Sequence, residues 1–133
     1  MRDSRTRIVY IFFFCLYILA VFYLCFAKPD DMPSIEITFF GLPIDKVVHF
    51  IMFLPFPILA FKAFDSENIK SGRRLLLLSG IAAAGGAIAA LTEFIQGYLS
   101  YRSEDAHDLF SDLIGLGTGI ACVIIYLTFR KLR

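Results

Sequence analysis

The chain has 133 residues, of which 58% are apolar and 19% are charged, and its formal net charge is +1. Soluble domains are roughly 45–50% apolar and about 25% charged, and a domain this small has too little interior to hide the excess. The composition therefore excludes an ordinary soluble enzyme, a disordered tail and a disulfide-stapled secreted module. The near-neutral charge gives no reason to expect nucleic-acid binding. An integral membrane protein remains.

Four apolar stretches predict four transmembrane helices, at residues 8–27, 47–64, 75–97 and 108–129. The first stretch carries no charge and is long enough to cross about 30 Å of hydrocarbon as a helix. It is also longer than the core of a signal peptide, so we expect it to remain as an anchor. Pro55 and Pro57 predict a kink in the second stretch. The prediction is an all-α, four-transmembrane-helix bundle that forms a single domain over residues 1–133.

The charges predict which way the spans run. Ten basic and three acidic residues lie in the N-terminal segment, the connection between spans two and three, and the C-terminal segment, which gives +7; the opposite side carries three basic and nine acidic residues, or −6. Basic residues concentrate on the cytoplasmic side of membrane proteins. Both termini are therefore predicted to be cytoplasmic.

The first outer connection, residues 28–44, contains an alternating segment from Ile35 to Phe40 between proline and glycine residues. Alternation is typical of a short strand, whereas paired aromatic residues also suit a segment that lies on the lipid interface. The sequence leaves both interpretations open.

Ionisable residues within or beside a span are costly and indicate candidate functional sites. The first group precedes span two, where Asp45, Lys46 and His49 are three or four residues apart and share a helix face. A carboxylate beside an imidazole orients the ring and raises its basicity, which suits proton transfer or metal ligation. An interfacial salt-bridge group that ends the helix explains the same pattern equally well.

The second group, Glu93 and Gln96, lies at the outer end of span three. It continues a face of small residues that includes Gly86, and small residues allow another helix to approach closely. Glu93 is therefore predicted to face the bundle interior and not the lipid.

The third group enters span four. Asp105, Asp108, Asp112, Gly115 and Gly119 follow one another at intervals of three and four residues and so lie on one helix face. The acids near the start of the helix also favour its dipole, which is a purely structural role. That role does not explain Asp112, which lies two turns further in. We expect the small-residue faces of spans three and four to pack together and to gather the polar residues into one outer site.

These motifs, in this order, resemble the VanZ-like family of small bacterial membrane proteins. The matching residues are Asp45-Lys46-x-x-His49-Phe50, Glu93-x-x-Gln96, Arg102 with Asp105 and Asp108, and Asp112-x-x-Gly115-x-x-x-Gly119. Asp112 departs from the pattern, since the family often has Asn there. The resemblance implies a multi-pass protein of the bacterial cytoplasmic membrane with a link to resistance against the glycopeptide teicoplanin. No defined reaction comes with it.

The leading hypothesis is a site that binds or acts on a lipid-linked component of the cell envelope. His49 is the candidate general acid or base, oriented by Asp45, and Glu93 and Asp108 are the next candidates for acid–base chemistry or cation binding.

Five further residues are candidates for binding the substrate, among which Lys46 and Arg102 suit an anionic headgroup. The other three are Gln96, Asp105 and Asp112.

Two other hypotheses belong to different classes. In the first, the protein is a non-catalytic accessory or scaffold whose polar cluster serves packing and partner recognition, with Gly86, Gly115 and Gly119 as helix-packing positions. In the second, it is a proton- or cation-coupled carrier, although spans one and three offer almost no polar residue on the cytoplasmic half. Membrane lipids are the expected partners, with a lipid-linked cell-wall precursor or a glycopeptide as candidates and no nucleic acid. Metal, cofactor and oligomeric state stay open.

Overall fold

The computed structural model describes residues 4–27, 38–39, 41–66, 70–99 and 105–131. Its helices are α1 (Ser4–Phe26), α2 (Ile44–Phe53), α3 (Pro55–Phe64), α4 (Ser71–Tyr98) and α5 (Ala106–Lys131). Two short strands, β1 (Thr38–Phe39) and β2 (Leu42–Pro43), precede α2.

Within the described ranges, four helical segments are long and apolar enough to cross a membrane: Ser4–Phe26, Ile44–Phe64, Ser71–Tyr98 and Ala106–Arg130. The predicted four-transmembrane-helix bundle is confirmed, and the protein is a multi-pass membrane protein. The helices run a few residues beyond the apolar stretches because their polar flanks continue the helical backbone. The cytoplasmic placement of both termini stays a prediction.

The second span is two helices joined at Leu54. α2 ends directly before this residue and α3 begins at Pro55. Pro55 and Pro57 carry no amide hydrogen, so two carbonyls in the preceding turn lose their helical partners. Leu54 keeps a helical conformation, and its amide donates to the Phe50 carbonyl at 3.1 Å. The interruption therefore leaves one span, broken where the proline pair predicts a kink.

The fold has two chemically distinct ends. The acidic end comprises the last turns of α1 and α4 and the first turns of α2 and α5, with Asp45, Gln96 and Asp105. The basic end comprises the opposite termini, with Arg74 and Arg130 around Asp65.

Helix α5 packs against α2, α3 and α4, while α1 lies against α3 and α4. The contact between α2 and α5 is unusually close. A Cβ atom at Gly115 would collide with the backbone carbonyl of Phe50, and one at Gly119 would collide with the carbonyl of Leu54 and the ring of Pro57. Only glycine allows two helix backbones to approach in this way.

The expected pairing of the small-residue faces of spans three and four is wrong. The Gly115 and Gly119 face packs on span two, as described above. A Cβ at Gly86 would make only an ordinary contact, 3.9 Å from the Leu113 side chain, whereas one at Gly85 would press on Leu116 and Phe56. The tight face of α4 is therefore centred one residue, about 100° of helix rotation, from the predicted one.

A small hairpin precedes α2. β1 and β2 pair in antiparallel fashion, Thr38 opposite Pro43 and Phe39 opposite Leu42. Gly41 in the turn has φ of 79°, a left-handed conformation that glycine adopts without steric cost. Of the two interpretations left open for the outer connection, the strand holds for 38–39; the rest of the predicted alternating segment, residues 35–37 and 40, lies outside the described residues.

An apolar cluster lies beneath the acidic end and separates it from the middle of the bundle. It joins α1, α2 and α4 through buried side chains. Its members are Val21, Cys25, Met52, Phe53 and Ala89. The Tyr17 hydroxyl borders it and donates to the Met52 carbonyl.

The glycine contact predicts a sharp difference between neighbouring positions of α5. Gly115→Ala is expected to destabilise the protein by about 1–3 kcal/mol, because a methyl group forces the two backbones apart. Gly117→Ala, two residues along the same helix, adds a methyl group where nothing lies within 4 Å, and it is expected to be neutral or slightly stabilising. Reversible unfolding in detergent micelles measures both; equal effects would contradict the close packing.

Candidate functional site

A buried imidazole–carboxylate pair forms the centre of the acidic end. His49 on α2 directly precedes Phe50, whose carbonyl lies against Gly115, so its ring comes within reach of α5. Its Nδ1 lies 2.9 Å from Asp112 Oδ1, and its Nε2 lies 3.7 Å from Asp108 Oδ2. Asp108 and Asp112 are four residues apart and share a helix face. The imidazole thus lies between two carboxylates of one helix.

Lys46, in the preceding turn of α2, also contacts Asp108. Its ammonium binds Asp105, lies 2.5 Å from Asp108 Oδ1 and lies 3.2 Å from Asp45 Oδ2. An ammonium has three N–H donors, and three carboxylates face this one. Lys46 therefore fixes acidic side chains at the start of α5 and has no donor left for a headgroup.

Glu93 connects α4 to the start of α5. Its Oε1 accepts a hydrogen bond from the backbone amide of Asp105, the residue before α5 begins. The Glu93 side chain is buried, which agrees with the prediction that it faces the bundle interior.

Within the described residues, two buried carboxylate oxygens have no hydrogen-bond partner: Glu93 Oε2 and Asp112 Oδ2. Burying an unpaired polar atom costs free energy, and an unpaired charge costs more. A proton on either carboxylate lowers this cost. The site therefore has unused capacity to bind protons or a donor group.

Gln96 has a structural contact at this end. Its amide nitrogen donates to the Cys25 carbonyl at 2.8 Å, and the side chain is fully buried. The bond holds the end of α1 against α4 beneath the polar cluster.

The charged side chains of the cluster are ordered by exposure. The exposed fraction rises along the series of contacts from the bundle interior to the surface: Asp112 1%, His49 7%, Asp108 13%, Lys46 17%, Asp105 38% and Asp45 55%. The His49–Asp112 pair is thus the buried end of a continuous series of ionisable groups, and Asp105 and Asp45 form the solvent-exposed end.

The structure brings together eight of the nine predicted polar site residues, counting Gln96 beneath the cluster; Arg102 lies outside the described residues. One role changes. Helical spacing suggests Asp45 as the residue that orients His49, but the exposed Asp45 carboxylate faces Lys46, and Asp112 holds the ring. The reason is the glycine contact, which brings α5 closer to His49 than the first turn of its own helix.

Two polar residues of the fold were not singled out from the sequence. Tyr17 places a hydroxyl group in the middle of an apolar span. A polar group in such surroundings needs a hydrogen-bond partner within the protein, and here the partner is the Met52 carbonyl. Asp65 is an acidic residue on the strongly basic side, and it is buried. An acid among cations is a signal for a buried ion pair.

Across residues 4–27, 38–39, 41–66, 70–99 and 105–131, no group of three or more His, Cys, Asp or Glu side chains is arranged so that it could hold a metal ion. The carboxylates of the acidic end converge on Lys46 and His49 instead.

Comparison with known proteins gives one similarity. Over 122 residues the chain is 29% identical to an uncharacterized protein of the fission yeast Schizosaccharomyces pombe, and the alignment covers 92% of this chain and 65% of the yeast protein. The chain thus spans less than two thirds of that relative's length. No family model matches the chain. No solved structure matches it.

The functional prediction made from the sequence is wrong. A bacterial protein that binds or acts on a lipid-linked envelope component, with a link to glycopeptide resistance, does not agree with a eukaryotic relative that aligns over nearly the whole chain.

The Lys46–Asp105 contact predicts a pH dependence. Lys46, together with hydrogen bonds from His107, holds the pKa of the Asp105 carboxyl well below its ordinary value. A lowered pKa in the folded state stabilises the fold above the ordinary aspartate pKa of about 4, and this contribution disappears as the pH falls further. At pH 7 the wild-type protein is therefore expected to have a higher melting temperature than the Asp105→Asn variant.

Melting curves in micelles between pH 3 and pH 7 measure this difference. The gap between the two melting temperatures should be constant near pH 7 and should begin to narrow as the pH drops below about 4. In a Lys46→Met background the gap should be smaller than in the Lys46 background, with the remainder due to the His107 hydrogen bonds. A gap that is independent of pH and of Lys46 would show that the ion pair does not support the fold.

Proposed function

We propose that the protein carries out acid–base chemistry at the acidic end of its bundle, with His49 as the group that takes up and releases the proton. The observation that carries this proposal is the buried His49–Asp112 pair, with the second ring nitrogen directed toward Asp108. Imidazole is the side chain whose ordinary pKa suits proton exchange near neutral pH.

Asp112 is the positioning residue of the pair. When Asp112 is ionised, it accepts a hydrogen bond from the Nδ1–H group of His49. This bond fixes both the orientation of the ring and its tautomer. Nε2 is then the nitrogen that gains or loses a proton. Asp108 Oδ2 lies 3.7 Å from it, beyond hydrogen-bond length, so the nitrogen is not committed to a partner in this arrangement.

The series of exposed fractions described above supports proton exchange with the surface. Lys46 binds Asp108, which lies beside the histidine, and Asp105, which is more exposed, and so holds both carboxylates in place. Asp108 is the carboxylate nearest to Nε2 and is partly exposed, so it is the first acceptor for a proton that leaves the ring. The interior side offers the unpaired oxygens of Asp112 and Glu93.

The partner in this proton exchange is a polar group of a molecule that reaches the site at the membrane–water boundary. The cluster lies at the ends of the spans, where such a molecule has access without crossing the hydrocarbon. Lys46 is occupied by carboxylates, which argues against a site built around a strongly anionic headgroup. Neutral hydroxyl or amide groups, and amines, agree better with the excess of carboxylates.

The sidedness of this chemistry follows from the positive-inside rule and stays a prediction: the acidic end is extracytoplasmic if the basic end faces the cytoplasm. Membership of the VanZ-like family, carried by Asp45, Lys46, His49 and the motifs of spans three and four, also stays a prediction. So does a location in a bacterial cytoplasmic membrane.

Nitrogen-15 NMR of the histidine rings tests the proposal. The chain has two histidines, so a His107→Asn variant in lipid nanodiscs leaves only His49. The neutral ring is expected to be the Nδ1–H tautomer, and Nε2 is expected to take up and release a proton reversibly in a titration carried out from pH 5 to pH 9. Asp112→Ala should redistribute the tautomers toward those of free histidine, whereas Asp45→Ala should leave them unchanged.

Two results would overturn the proposal. A ring whose resonances do not change over this pH range is a structural histidine without proton exchange. A tautomer that depends on Asp45 and not on Asp112 would remove the positioning role assigned to the pair. Melting temperature, measured on the same samples, separates loss of folding from loss of the interaction.

A further inference from the structure

A second site lies at the basic end, on the opposite side of the membrane from the acid–base cluster. Here a groove of about 690 Å³ opens between α4 and α5. Its size is within the range of small-molecule sites, about 300–1,000 Å³. The walls and the mouth of this groove differ in chemistry.

The walls are aliphatic and continue along the lipid-facing surface. They are formed by Leu75 and Leu78 from α4 and by Ile124 and Leu127 from α5. Leu75 and Ile124 are exposed on the described protein surface, while Leu78 is buried at the base. Such a channel between two spans suits a hydrocarbon chain that runs parallel to the helices.

The mouth is cationic. Arg74 and Arg130 line it, together with Ser71 and Thr128. The buried Asp65 carboxylate lies 3.0 Å from Arg74 Nε and 4.0 Å from Arg130 Nη1. One carboxylate thus positions two guanidinium groups from different helices.

Two further features add positive potential at the same place. A neighbouring cavity of about 340 Å³ shares Arg130 and contains Lys62, whose ammonium lies 4.6 Å from the centre of the Tyr126 ring. The first turn of α4 also begins at the mouth, since Ser71 is its first residue, and no side chain caps it. The positive end of a helix dipole attracts anions.

We propose that this groove binds one anionic glycerophospholipid, with its phosphate between Arg74 and Arg130 and an acyl chain along the aliphatic walls. Charge complementarity at the mouth and the apolar groove at membrane depth together select this occupant over a zwitterionic lipid. Basic pockets between spans on the cytoplasmic side are a recurrent site for anionic headgroups. The site is independent of the acid–base chemistry at the other end.

Native mass spectrometry of the full chain, released from detergent micelles, tests the proposal with dioleoyl phosphatidic acid and dioleoyl phosphatidylcholine as probes. Wild type is expected to retain one phosphatidic acid more tightly than phosphatidylcholine. Arg130→Gln should weaken phosphatidic acid binding about five-fold, the effect of one cation near a membrane surface. Arg73→Gln removes the same charge from a neighbouring position that lines a different, apolar crevice, and it should bind as wild type does.

Arg74→Gln leaves the Asp65 carboxylate without its nearest partner, so it is tested as the double variant Asp65→Asn, Arg74→Gln, which is also expected to lose preference for phosphatidic acid. Glycerol 3-phosphate supplies the phosphate without acyl chains and should bind far more weakly than the lipid. Equal affinity for the two lipids, equal losses in Arg73→Gln and Arg130→Gln, or glycerol 3-phosphate binding as tightly as phosphatidic acid would each overturn the proposal.

Discussion

The backbones of α2 and α5 lie so close that a methyl group at Gly115 or Gly119 would collide with a carbonyl of the other helix. This contact determines the geometry of the acidic end. Asp112 lies one turn before Gly115 on α5, and His49 lies one residue before Phe50 on α2, so the close approach brings imidazole and carboxylate to 2.9 Å. In a bundle with ordinary spacing between these helices, the same side chains would not meet.

A second common feature is the use of acidic side chains to position cations at both ends of the bundle. At the acidic end several carboxylates surround Lys46 and His49 and leave excess negative charge. At the basic end one buried carboxylate, Asp65, holds Arg74 and approaches Arg130 and leaves excess positive charge. The two ends therefore suit opposite chemistries, proton binding at one and anion binding at the other, which the net charge of +1 conceals.

Much of this could be predicted from the sequence because the relevant signals lie within single helices. The apolar stretches located the four spans, and intervals of three and four residues placed Asp108 and Asp112 on one face. Contacts between helices carry no such signal. The helix rotation of α4 places Gly85, and not Gly86, in the closest contact with its neighbours. The residue that holds the His49 ring is Asp112 of α5, and not Asp45 of the same helix. Function was least accessible, since similarity of motifs suggested a bacterial role that the yeast relative overturns.

The central claim is that His49 and Asp112 interact directly across the α2–α5 contact. A double-mutant cycle with His49→Gln, Asp112→Asn and the combined variant, measured by reversible unfolding in micelles, tests it most directly. The structure predicts a coupling free energy of about 1.5–3 kcal/mol, as for hydrogen bonds to charged groups, and a much smaller coupling between His49 and Asp45. A coupling near zero for His49 and Asp112, with both single variants folded, would contradict the account.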